Sequence, residues 1–78
     1  MTTAIELAVC VEANEDSDLK VGKVYRILPD SRAEEVSCLR VVDESGDDYL
    51  YPASRFLPLE LPARERERLL EVLGRVAA

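Results

Sequence analysis

The 78-residue sequence contains no histidine and no tryptophan. Without histidine it lacks the side chain that most often serves as general base or as partner of a Ser or Cys nucleophile. Carboxylates are plentiful, but their runs fall in turn-like segments, where water keeps them ordinary. A catalytic pair needs one carboxyl raised by burial, so no enzymatic activity and no cofactor are expected. Cysteine is scarce: Cys10 and Cys38 stand alone, with no CxxC pair. Two sulfur ligands without a histidine do not make a usual structural zinc site, so no metal is expected. Their spacing allows a disulfide, although reduced structural thiols of a cytoplasmic protein are the plainer expectation. No segment approaches a membrane-spanning apolar run, and Glu6 interrupts the first apolar stretch without a basic leader before it. The sequence thus predicts a cytoplasmic chain with no membrane association.

What is present fits one small domain. A chain this short buries only about 60% of its unfolded surface and has little room for a deep cavity. The 47% hydrophobic fraction argues for a folded chain. The formal net charge is −6, whereas residues 61–78 alone hold four Arg and three Glu. The acid therefore resides in residues 1–60, and an acidic body repels phosphate backbones, which disfavours nucleic acid as a partner.

Patterning gives the elements. "AIELAVCVE" places Ile5, Leu7, Val9 and Val11 at period two, predicting a half-buried strand with Cys10 on the opposite parity beside Glu6 and Glu12. The polar turn "ANEDSD" follows, then Leu19, Val21 and Gly22 lead into a second strand that Pro29 and Asp30 end. "SRAEEV" reads as a loop or a single helical turn. "SCLRVVDESGDDYLYP" reads as a hairpin turning at Glu44–Asp47, where Gly46 supplies positive φ. Pro52-Ala53-Ser54 suggests one 3-10 turn before "RFLPLE". From Pro62 the period becomes helical, with Leu69, Leu70, Leu73, Val76 and Ala77 on one face and Arg64, Glu67, Arg68, Glu71 and Arg75 on the other. Arg66 falls within the apolar stripe, its stem expected along the contact and its head in water.

Short strands, regular turn signals and a 3-10 turn before a last strand predict a small five-stranded, partly open all-β barrel over residues 1–60, followed by an amphipathic helix over 61–78. The stretch "YLYPASRFLPL" resembles the closing segment of the SH3-like barrels. More broadly, residues 10–62 are similar to a group of small bacterial and phage-associated proteins without an assigned activity, above all in "LKVGKVY" and "VVDESGDDYLYP". The resemblance implies the fold. In peptide-binding SH3 domains a groove of stacked aromatics holds a polyproline ligand. Pro52 matches the groove proline and Phe56 the aromatic opening the last strand, but the groove tryptophan has no counterpart, so PxxP binding is not implied.

The expected role is a non-catalytic adaptor binding a protein partner through Tyr49, Tyr51 and Arg55, residue types common at interface hot spots. That surface requires Leu50 to point inward. If it does not, a tyrosine serves the core, with its hydroxyl satisfied nearby. The acidic loops "NEDSD" and "DESGDD", if side by side, favour a cationic partner surface; the latter lacks the spacing of a calcium loop. The alternatives are an RNA-contacting barrel, an acidic nucleic-acid mimic, or a structural homodimer paired through Leu69, Leu73 and Val76. "PARERER" alternates in sign and reads as a salt-bridged helix start.

Overall fold

A computed structural model describes residues 6–15 and 17–76, with side chains through Gly74. The chain runs β1 (Leu7–Cys10), β2 (Val24–Leu28), α1 (Ser31–Glu35), β3 (Cys38–Val42), β4 (Asp48–Pro52), a 3-10 turn (Ala53–Arg55), β5 (Phe56–Pro58) and α2 (Ala63–Val76). The five strands form one antiparallel sheet in the order β4-β3-β2-β1-β5. β4 and β5 are its edges, and no ladder joins them, so the sheet is not closed.

The connection between those edges shows how the sheet is bent. In a flat sheet, four strand spacings would hold β4 and β5 about 19 Å apart. The link between them is a 3-10 turn of 3 residues, and the Tyr51 and Phe56 rings on either side of it meet edge to face, 6.3 Å between centroids. The sheet is therefore strongly curled, its edges converging at the 3-10 turn. Ala8, Cys10, Leu19, Tyr25, Ile27, Val41 and Phe56 fill the concave side, with Ala13, Leu39 and Tyr51 packed against them.

The parity expected for β1 is overturned. Cys10, expected on the parity of Glu6 and Glu12, is fully buried, as is Ala8, while Val11 is exposed and Ile5 lies outside the described residues. β1 sits between β2 and β5 and is covered on both faces, so alternation does not distinguish inside from outside. The small Ala8 and Cys10 suit the crowded concave side. Leu7 is opposite Arg26 and thus lies on the convex face, where it too is buried. No disulfide forms: Cys10 and Cys38 are free thiols, the first buried and the second half-buried.

The open reading of "SRAEEV" resolves into helix α1. Asp30 caps it, Oδ1 accepting from the Arg32 and Ala33 amides at 3.0 and 3.1 Å. Asp30 Oδ2 also takes Arg40 Nε at 2.7 Å, and Arg40 reaches Asp48 at 2.9 Å, so one guanidinium ties α1 to β3 and β4. Helix α2 lies against the convex face beside β2. Leu69, Leu70 and Leu73 are half-buried there, and Arg66, with its head at the rim, pairs with Glu6 at 2.9 Å. Val76 ends the helix, and its side chain lies outside the described residues. No helix among the described residues is long and apolar enough to cross a membrane.

Candidate functional site

The two acidic loops meet. The Glu44 amide donates to the Asp18 carbonyl at 2.9 Å, joining the β1–β2 loop to the β3–β4 hairpin. Tyr25 reinforces the junction from the core: its hydroxyl donates to Glu44 Oε1 at 2.7 Å and accepts the Lys20 amide at 2.8 Å. Lys23 closes on the same Glu44 oxygen at 2.8 Å. The bonds from Lys23 and Tyr25 hold the Glu44 carboxyl below its ordinary range, while burial and the bond to Glu44 push the Tyr25 phenol well up.

Asp43 is the one buried charged residue among those described, 5% exposed. Its carboxylate accepts the Ser45 amide at 2.9 Å, the Ser45 hydroxyl, and the Tyr51 hydroxyl at 2.6 Å. Burial alone would raise this carboxyl; the bonds from Ser45 and Tyr51 outweigh it and leave the pKa lowered. Burial and the bond to Asp43 push the Tyr51 phenol up, with smaller contributions from Asp18 and Tyr49 nearby. The aspartate thus stays ionised, the reverse of what a general acid needs.

Register decides where the tyrosines point. Opposed residues of an antiparallel pair share a face. Tyr49 faces Val41 and Tyr51 faces Leu39, which puts both on the concave side, whereas Leu50 faces Arg40 on the convex side. Leu50 is 48% exposed, so the inward leucine required for an outer tyrosine surface is absent. Tyr51 is half-buried and committed to Asp43 and Phe56. Tyr49 is 51% exposed because it lies on the edge strand, with no strand beyond it among the described residues. Arg55, half-buried on the 3-10 turn, makes no ion pair among the described residues.

The chain matches no family model, no curated protein and no solved structure.

A second concavity lies on the convex side. It is a groove of about 320 Å³ between α2 and the sheet, with Val24, Arg26 and Val42 below, Leu70 and Leu73 above, and Lys23, Asp43 and Glu44 at the hairpin end. Sequence reasoning missed this groove, because its walls come from segments far apart in the chain. The contact between the acidic loops was foreseen only as a condition, and the tertiary fold supplies it.

Proposed function

We propose that this chain is a non-catalytic protein-interaction module of SH3-like architecture, taking a basic protein partner on the acidic face around Tyr49. The carrying observation is the bond from the Glu44 amide to the Asp18 carbonyl. It gathers the charges of two loops beside an exposed aromatic, and such complementarity speeds encounter and selects partners. The side chains of Asp18 and Asp47 make no ion pair among the described residues and are exposed, leaving their charge to a partner. The strand order, with β5 beside β1 and a single 3-10 turn between the edges, supports the SH3-like reading over a flat meander.

An acidic face repels phosphate, which argues against the RNA-contacting alternative. The half-burial of Leu69, Leu70 and Leu73 beside the sheet supports a helix that serves its own fold over one that pairs with a second copy. The test is affinity capture from lysate with wild type and with Tyr49→Ala/Asp18→Lys/Asp47→Lys, read by mass spectrometry. A protein with a basic surface retained by wild type and lost by the folded variant is the expected result. Equal retention by both forms, or retention of RNA, would overturn the reading.

A further inference from the structure

We propose that β4 is a docking edge, which takes up an extended lysine- or arginine-bearing segment of a partner protein as an added strand. The proposal rests on the interaction reading above and supplies its mode. Its basis is the direction of the backbone groups. The Asp43 amide donates to the Asp47 carbonyl at 3.1 Å, and the Ala53 amide donates to the Ser37 carbonyl at 3.0 Å, bracketing the β3–β4 ladder. In an antiparallel pair, residues alternate between exchanging bonds with the partner strand and facing away from it. Asp47, Tyr49, Tyr51 and Ala53 therefore turn toward β3. Asp48 and Leu50 turn both N–H and C=O to the open edge, and Pro52 turns its carbonyl there.

Natural edges are blunted by shortness, charged side chains (lysine above all), proline or a covering element. The one charge within β4, Asp48 at its first position, is paired with Arg40. β5 is blunted: it has 3 residues and ends in Pro58. β4 has 5 residues, no lysine or arginine, and its proline only at the last position. Tyr49 and Leu50 are exposed on its two faces, so an added strand would cover one with each of two successive side chains.

Charge selects the occupant. Two copies of β4 paired edge to edge about a two-fold axis would run antiparallel, setting Asp47 and Asp48 of each against the Tyr51–Pro52 end of the other, on a strand with no lysine or arginine and on chains of net charge −6. Arg40 beneath the strand already pairs with Asp30 and Asp48, which leaves the exposed Asp47, without an ion pair among the described residues, as the hairpin carboxylate open to a partner. A strand carrying lysine or arginine supplies the opposite charge that a second copy of β4 lacks.

The test uses the full ¹⁵N-labelled chain and a capped peptide of about ten residues alternating valine with lysine, set against its valine–glutamate counterpart. The lysine peptide should slow exchange of the Asp48 and Leu50 amides at least about tenfold, and the glutamate peptide should not. Leu50→Pro removes an outward N–H without costing a ladder bond and should weaken binding about tenfold or more. Should that variant lose the native amide spectrum, wild-type exchange decides alone. Shifts in the acidic loops without protection at Leu50 would overturn the docking edge and leave the interaction reading standing. No binding of the lysine peptide would overturn the edge as well. Protection of these amides in the free chain, with doubled mass, would assign the edge to a second copy and sink the proposal.

Discussion

The Tyr51 hydroxyl donates to Asp43 Oδ2 across 2.6 Å, fastening the edge strand to the turn that feeds it. Asp43 is buried without an ion-pair partner among the described residues, so the bonds from Tyr51 and Ser45 are what stabilise its charge. Removing one donor leaves part of a buried carboxylate unsatisfied. Tyr51→Phe keeps the ring against Phe56 and should cost about 1–3 kcal/mol, measured by urea denaturation. A loss within error would mean that water replaces the phenol.

The same carboxylate contributes an acid sensitivity. Asp43, Glu44 and Asp30 all have folded-state pKa values below their ordinary ones: Asp43 because the bonds from Ser45 and Tyr51 outweigh burial, Glu44 through Lys23 and then Tyr25, Asp30 through Arg40 and then the Ala33 amide. A carboxyl with a depressed folded pKa adds stability that is present above its unfolded value, about 4, and lost as pH falls through the folded value. Stability should therefore drop below about pH 4, with a shallower slope in Asp43→Asn. An unchanged slope in that variant would remove Asp43 from the acid response.

Two backbone positions should respond in opposite directions. Gly46 has φ +88°, and a Cβ built there meets nothing within 4 Å, so Gly46→Ala carries only a conformational cost, about 1–2 kcal/mol. Ser37, just past the cap of α1, holds φ 56° with a side chain. Ser37→Gly should stabilise by up to about 1 kcal/mol, since glycine suits a left-handed helix terminus. Thermal melts of both variants check the pair, and loss of stability in Ser37→Gly would indicate that the serine side chain compensates.

Helix α2 depends on its contact with the sheet, since 14 residues alone are marginal in water. Leu73 and Leu70 form its wall of the groove over Val24 and Val42. Leu73→Asp should lower helical circular dichroism and cost about 1–3 kcal/mol without changing the mass in solution. A halved mass would show that the leucine holds two copies together.

Much of the architecture follows from local chemistry. The β3–β4 hairpin was legible because Gly46 sits where the chain must reverse with positive φ, and α2 because leucines recur at helical spacing after Pro62. These features depend on neighbours in the chain, where steric preference and periodicity act directly. The face of β1 was misread because period two reports only which residues share a side. Which side is interior is decided by the curl of the sheet and by α2, and both rest on long-range packing. The tyrosines show the same division. Alternation put Tyr49 and Tyr51 together, while pairing with Leu39 and Val41 sent them inward and the free edge left one of them exposed. By itself the sequence determined the strands, helix α2, the acidic charge and the lack of histidine chemistry. Only the tertiary structure joined the acidic loops through Glu44 and Asp18 and buried Asp43 beneath Tyr51, because those contacts form only after the sheet has curled.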